Sequence, residues 1–230
     1  MNLNRIKIVT AVVCAFICYS TAYSQEAKWD STYRPGSYQL KVDQFNAFKN
    51  SANDIVFLGN SITAGTDWAE LLGMPNVKNR GISGDITFGV LERLDEVIEG
   101  KPAKVFILIG TNDVARNIPD AVILQNYQKM ISRIKQGSPS TKIYFQTIMP
   151  TNSSFGKFKN HYNRAEQVQG INNALKEMGK KEKITVIDLY PAFLDKEGNM
   201  EKSYTYDGLH LNLAGYQKWV EVLTKGNYLK

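Results

Sequence analysis

Candidate strands and amphipathic segments alternate along the chain from residue 55 onwards. The candidate strands are residues 55–58, 77–79, 105–109, 143–148 and 184–189. The first and third are unbroken apolar runs, a pattern typical of parallel strands that are buried on both faces. Apolar side chains recur at helical spacing within residues 90–98, 123–134, 168–178 and 216–223. This alternation predicts an α/β domain with three layers and right-handed crossovers.

The first 24 residues differ in kind from the rest of the chain. Arg5 and Lys7 precede an apolar run over residues 8–18, and small and polar residues follow up to Ser24. The run is shorter than the roughly 20 apolar residues of a membrane span, so the segment predicts a secretory signal peptide cleaved after Ser24. A lipoprotein signal is the alternative, but each cysteine in the segment follows a bulky residue. We therefore expect a secreted or periplasmic protein with no stable membrane insertion after cleavage.

Residues 25–230 are expected to form one catalytic domain. The chain has 230 residues, of which 43% are hydrophobic and 22% charged, as is ordinary for a globular protein with a sizeable core. The polar, tyrosine-bearing residues 25–51 predict an N-terminal arm that packs on the domain and carries a short helix over residues 42–49. No repeat or linker divides the remainder.

Charge and cysteine content narrow the functional classes. Both cysteines lie in the predicted signal peptide, so the mature chain can form neither a disulfide nor a thiolate metal site. The formal net charge is +6, and Arg5 and Lys7 supply two of these charges. The other basic residues are interleaved with acids and form no stripe, which argues against nucleic acid as a partner. The pattern gives no indication of oligomeric state.

Several candidate site residues follow the predicted strands at the edge where open α/β sheets bind ligands. Ser61 comes after the first strand, Gly84 after the second and Asn112 after the third, while Asp207 and His210 share a later loop. The spacing of Asp207 and His210 allows the carboxylate to accept a hydrogen bond from one imidazole nitrogen while the other nitrogen faces Ser61. Each residue alone also fits a turn or a helix cap. Together they predict a nucleophilic site.

Four ordered blocks of sequence resemble the GDSL-type esterases, also called SGNH hydrolases. They are 59–62 (Gly-Asn-Ser-Ile), 79–85 (Asn-Arg-Gly-Ile-Ser-Gly-Asp), 110–113 (Gly-Thr-Asn-Asp) and 207–210 (Asp-Gly-Leu-His). The resemblance extends over nearly the whole mature domain, and four blocks in the family's order are far more specific than any one of them. Two positions depart from the family motif: Asn60 stands where the family has aspartate, and Ile62 stands where it has leucine.

The resemblance implies a role for each matched residue. Ser61 would be the nucleophile, His210 the general base and then acid, and Asp207 the group that orients the imidazole. The N–H groups of Ser61 and Gly84 and the side-chain amide of Asn112 would bind the oxyanion. The family also implies a flavodoxin-like fold with a five-stranded parallel sheet in the order 2-1-3-4-5. It implies no metal and no organic cofactor.

The remaining histidine and three aromatic residues of interest lie outside the four blocks. His161 stands near the start of a helix and is expected to have a surface or capping role. Trp68, Phe155 and Tyr206 are candidate substrate-binding residues, because aromatic rings among polar loop residues suit a sugar ring.

The sequence thus favours an esterase that removes O-acetyl groups from a carbohydrate or another small-molecule ester. The alternatives are a lysophospholipase or a general short-chain esterase. If the matched blocks carried no activity, an exported carbohydrate-binding module on the same fold would remain.

Overall fold

A single all-parallel sheet organises the protein. The computed structural model describes residues 29–230, so the predicted signal peptide lies outside the described residues. The sheet has five strands in the order β2-β1-β3-β4-β5. They are β1 Ile55–Gly59, β2 Val77–Gly81, β3 Lys104–Leu108, β4 Lys142–Gln146 and β5 Thr185–Ile187. The predicted parallel sheet and its order are confirmed, with strand ends within two residues of those expected.

The central strands are apolar along their whole length because both faces of the sheet are covered. In β1, Val56 and Leu58 belong to a core cluster on one face, whereas Ile55 and Phe57 belong to a cluster on the other. Neighbouring residues of β3 divide between the two clusters in the same way. Alternate side chains therefore enter opposite layers, which confirms the three-layer α/β/α arrangement.

Helices flank the sheet on both faces. Within residues 29–230 they are α1 Tyr38–Ala47, α2 Ser61–Ala64, α3 Trp68–Leu72, α4 Thr87–Glu92, α5 Leu94–Glu99, α6 Thr111–Ala115, α7 Asp120–Gly137, α8 Ala165–Glu182 and α9 Leu213–Lys225. The clusters place α4, α5, α7 and α8 on one face, and α3 and α9 on the other. Over this part of the chain, no helix has both the length and the apolar character that crossing a bilayer requires.

Two helices differ from the sequence expectation. The segment expected as one helix around residues 90–98 is divided into α4 and α5 at Arg93, whose buried guanidinium donates to Asp85 and to the carbonyl oxygens of Gly59 and Arg80. Helix α1 begins four residues before the predicted start at residue 42 and ends at residue 47. Its buried side chains pack beside β2, so the segment that carries α1 supports the loop after that strand.

Candidate active site

The end of β1 presents Ser61 at the carboxyl edge of the sheet. Gly59 is required there for close approach, because a Cβ at this position would lie 2.2 Å from the carbonyl oxygen of Leu108 on β3. Asn60 then caps α2, and its Oδ1 accepts a hydrogen bond of 3.0 Å from the N–H of Ile62. Ser61 is the first residue of α2, so its own N–H has no acceptor within the helix. The local turn thus leaves both the hydroxyl and the amide of Ser61 facing the site.

Ser61, His210 and Asp207 form a continuous hydrogen-bonded chain. The Nε2 atom of His210 lies 2.9 Å from Ser61 Oγ, and the Nδ1 atom lies 2.7 Å from Asp207 Oδ2. Burial alone would raise the pKa of Asp207, but hydrogen bonds from the amide and ring of His210 and from the amide of Leu209 outweigh it and lower that pKa below its ordinary value. An ionised carboxylate can only accept, so Nδ1 carries the proton and Nε2 is free to accept from the serine hydroxyl.

The loop that carries Asp207 and His210 is held by hydrogen bonds at several points. The hydroxyl of Tyr162 donates to the carbonyl oxygen of Asp207 at 2.8 Å, and Thr205 donates through its hydroxyl to the carbonyl oxygen of His210 at 2.6 Å. A bridge between Thr205 and Leu211 closes the loop at its base. The loop is therefore held in place before a substrate arrives, which preserves the geometry of the imidazole.

Ser61, Gly84 and Asn112 line one cavity and carry three candidate N–H donors. Gly84 has a φ of +82°, a backbone conformation that residues other than glycine rarely adopt. The Nδ2 atom of Asn112 donates to the carbonyl oxygen of Asp85 at 2.9 Å, which uses one of its two protons. Among residues 29–230, the backbone N–H groups of Ser61 and Gly84 have no protein acceptor. These two groups and the second Nδ2 proton are free to hold a negatively charged oxygen.

Two buried carboxyl groups, those of Asp85 and Asp113, hold the loops that carry these donors. The carboxylate of Asp85 accepts from Arg93, with distances of 3.0 Å to both Nε and Nη2. Asp113 follows Asn112 and accepts from both the N–H and the hydroxyl of Thr87. Burial raises the pKa of Asp113 to about 7, although its hydrogen bonds with Thr87 oppose the shift. Asp85 and Asp113 thus fix the loops on either side of the donors.

His161 lies in the site, and the expected surface or capping role is wrong. Its Nε2 atom is 3.0 Å from Oδ1 of Asn112, and its ring lines the same cavity as Ser61 and His210. The residue precedes α8 by four positions, on a loop that folds back over the sheet edge. The sequence held one usable signal for this position, since His161 directly follows a long polar segment after β4.

The three aromatic candidates occupy different environments. Trp68 is wrongly predicted as a substrate contact, because it is fully buried between Phe57 and Trp219, with its ring stacked 4.0 Å from that of Phe57. Phe155 packs against the backbone near Gly208 and does not line the cavity. Tyr206 is 58% exposed, and its ring lies parallel to that of His210 at 6.1 Å.

A different aromatic residue and a cation complete the cavity wall. Phe158 meets the ring of His210 edge-on at 5.2 Å and faces the cavity. Arg116 also lines the cavity, with its guanidinium carbon 3.1 Å from the centre of the Tyr33 ring. The open cavity has a volume of about 530 Å³, and its wall combines polar residues such as Ser83 and Asn160 with apolar residues such as Ala115 and Leu209. In the portion of the chain that the structure describes, no group of three His, Cys, Asp or Glu side chains could hold a metal ion.

Comparisons with known proteins agree with the fold and with the sequence blocks. The sequence profile of the GDSL-like lipase/acylhydrolase family matches residues 57–218. The chain is 31% identical over 185 residues to an N-acylneuraminate cytidylyltransferase of Escherichia coli, covering 78% of this chain and 42% of that protein. It is 24% identical over 187 residues to the platelet-activating factor acetylhydrolase IB subunit alpha2 of Rattus norvegicus, covering 77% of this chain and 79% of that protein.

A solved structure shows the same architecture. A protein of Streptococcus pneumonia, described as a platelet activating factor, superposes with a TM-score of 0.75 at 32% identity, covering 82% of this chain and 90% of that one. The chain spans about two fifths of the length of the cytidylyltransferase that it matches. Because the family profile matches well over half of the chain, this protein belongs to the GDSL-like lipase/acylhydrolase family of serine ester hydrolases.

Proposed function

We propose that the protein hydrolyses short-chain carboxylic esters through an acyl-enzyme on Ser61. The observation that carries the proposal is the hydrogen-bonded chain from Ser61 through His210 to Asp207, which opens into the cavity beside free N–H donors. Such a chain supplies a nucleophile, a base and a group that orients the base, which is the arrangement that acyl transfer requires.

The chemistry follows from the positions of the protons. Ser61 Oγ attacks the ester carbonyl while His210 Nε2 takes the hydroxyl proton, and the carbonyl oxygen becomes an oxyanion bound by the N–H groups of Ser61 and Gly84 and by Asn112 Nδ2. When the tetrahedral intermediate collapses, the bond to the leaving alcohol breaks and His210 gives that alcohol its proton. Water then attacks the acyl-enzyme with His210 again as base, and the carboxylic acid leaves. Asp207 stabilises the imidazolium in both halves.

We propose further that the preferred acyl group is acetyl and that the alcohol is a carbohydrate. A long acyl chain gains about 0.8 kcal/mol for each methylene that it buries, about fourfold in kcat/KM, and needs an apolar trough to do so. Around Ser61 the cavity offers polar groups, with Phe158 as its aromatic wall and Tyr206 beside His210. An aromatic face next to hydrogen-bonding groups suits a sugar ring, and the name of the Escherichia coli relative also refers to a sugar acid.

Acetyl phospholipid is the second candidate substrate. It is favoured by similarity to the acetylhydrolase subunit, whose name specifies an acetyl group on a lipid mediator. Both candidates share the acetyl group and differ in the alcohol.

The test measures kcat/KM for 4-nitrophenyl esters from acetate to octanoate, and then for acetylated sugars and an acetyl phospholipid. We expect acetate to be the best acyl group and acetylated sugars the better natural class. The Ser61→Ala variant should lose turnover by about 10⁴-fold or more, because the three residues act as a unit. A steady rise in kcat/KM with the length of the acyl chain would exclude the proposed preference for acetyl esters. Near wild-type turnover in Ser61→Ala would overturn the mechanism.

We also propose that residues 1–24 direct export and that the mature chain is residues 25–230. The basic start, the apolar run and the small residues before Ser24 support this. Amino-terminal sequencing of the protein recovered from the periplasm or the medium tests it, and labelling by a fatty acid would favour the lipoprotein alternative.

A further inference from the structure

The side chain of Asn112 is held at both of its polar atoms. One atom lies 2.9 Å from the carbonyl oxygen of Asp85, and the other lies 3.0 Å from Nε2 of His161. The carbonyl oxygen can only accept, so the atom facing it is the Nδ2 donor and the atom facing His161 is the Oδ1 acceptor. The amide orientation of Asn112 is therefore determined by its neighbours.

The same contacts determine which nitrogen of His161 carries a proton. Because Oδ1 of Asn112 accepts, Nε2 of His161 must donate. Burial, aided by the nearby charges of His210 and Arg116, lowers the pKa of His161 to about 4, so the ring is neutral near pH 7. A neutral ring with its proton on Nε2 leaves Nδ1 unprotonated. His161 is thus a fixed neutral donor beside the proposed oxyanion site, and its ring is hydrogen-bonded to Asn112 rather than to Ser61.

We infer that His161 is a positioning residue, which orients and polarises the Asn112 amide so that its free Nδ2 proton points at the developing oxyanion. The inference rests on the proposed function, because it assumes that Asn112 stabilises an oxyanion. A hydrogen bond accepted at Oδ1 prevents rotation of the amide, and rotation would turn an acceptor towards the negative charge. It also draws electron density towards the oxygen, which makes the N–H groups stronger donors.

A double-mutant cycle tests whether His161 acts through Asn112. The four proteins are the wild type, His161→Ala, Asn112→Ala and the double variant, assayed with an aryl acetate. Loss of Asn112 should lower kcat by roughly 10²–10³-fold, as for other oxyanion donors. Loss of His161 should lower kcat by roughly 10-fold with little change in KM, as expected for one net hydrogen bond. In the Asn112→Ala background, removing His161 should cause no further loss.

Two additional variants separate positioning from a general structural role. His161→Gln retains an N–H donor of comparable reach and should recover most of the kcat lost in His161→Ala. Lys159→Ala changes an exposed residue on the same loop and should leave kcat unchanged. Thermal unfolding of each variant shows whether the fold is intact, and the comparison of glutamine with alanine holds even where both are slightly less stable.

The outcomes distinguish this inference from the proposed function. Equal losses of kcat on removing His161 in both backgrounds would overturn the inference, as would a rise in KM at unchanged kcat, which indicates a substrate contact. Wild-type kcat in His161→Ala would overturn it too. If Asn112→Ala itself keeps wild-type kcat while Ser61→Ala is inactive, the oxyanion assignment within the proposed function fails. If Ser61→Ala remains active, the acyl-enzyme mechanism fails.

Discussion

Replacing Asp207 by asparagine tests how the imidazole of His210 is oriented. The two carboxylate oxygens of Asp207 have different partners in the structure. Oδ1 accepts from the N–H of Leu209 at 3.0 Å and from that of His210 at 2.7 Å, whereas Oδ2 faces Nδ1 of His210 at 2.7 Å. In Asp207→Asn the amide oxygen must take the Oδ1 position, because two N–H donors point at it. The new NH₂ group then faces Nδ1 of His210.

The substitution therefore reverses the tautomer of His210 without changing its position. An NH₂ group donates to Nδ1, so the imidazole proton moves to Nε2, which lies 2.9 Å from Ser61 Oγ. A protonated Nε2 cannot accept the serine proton. Restoring the productive tautomer would set two N–H groups against each other across the short contact. We expect kcat to fall by roughly 10³–10⁴-fold, about 4–5.5 kcal/mol in activation free energy, as for the same exchange in serine proteases.

The assay compares kcat for an aryl acetate with the unfolding midpoint of each variant. Asp195→Asn is a matched control, since its Oδ1 also accepts two backbone N–H groups, from Glu197 and Asn199, but no histidine follows it. Both variants should unfold near the wild-type midpoint, and Asp195→Asn should keep wild-type kcat. If Asp207→Asn keeps kcat within about tenfold while remaining folded, the reasoning from the tautomer is wrong.

Two further predictions concern buried side chains. Because the folded protein holds the Asp113 proton more tightly than the unfolded chain, the stability from this group is fully present below about pH 4 and is lost as pH rises through about 7. Asp113→Asn should therefore flatten the dependence of unfolding free energy on pH between about 4 and 7 in urea titrations, and parallel curves would contradict this. Trp68→Phe removes the indole bond to the carbonyl oxygen of Thr63 and should lower the unfolding free energy by about 1–3 kcal/mol at unchanged KM. A raised KM without destabilisation would restore Trp68 as a substrate contact.

The sheet could be predicted because its two central strands are continuous apolar runs and do not alternate between apolar and polar residues. Residues 55–58 and 105–109 are apolar throughout, and this pattern is explained by core clusters on both faces. In a parallel sheet all strands end at one edge, so Ser61, Gly84 and Asn112 could be expected there together. The structure does bring these residues together beside Asp207 and His210.

His161 could not be placed in the same way. It follows a long segment after β4 that has no strand or helix of regular period, so the path of the chain over the sheet edge depends on long-range contacts. Examples are the hydrogen bond from Tyr162 to Asp207 and that between His161 and Asn112. Neither contact leaves a periodic signal in the sequence. A histidine in such a segment therefore appears exposed until its partner is known.

Trp68 illustrates the opposite error, in which a core residue resembles a functional one. Helix α3 has only five residues, too few to show from periodicity alone that Trp68 lies on its buried face. The indole nevertheless fills the space between β1 and α9 and donates its N–H to the carbonyl oxygen of Thr63. A buried tryptophan needs such an acceptor, and the acceptor lies on the backbone, which sequence patterns do not reveal.

Asn60 is the departure from the family motif that bears most directly on the turn that presents Ser61. Its Oδ1 caps α2 by accepting from Ile62, so the structural task of a carboxylate at this position is met by the amide oxygen alone. The side chain is almost fully buried, so a carboxylate there would place a negative charge in the interior. Burying an unpaired charge is costly, whereas a neutral amide carries no such penalty. Asparagine therefore keeps the turn that presents Ser61 without adding a buried charge.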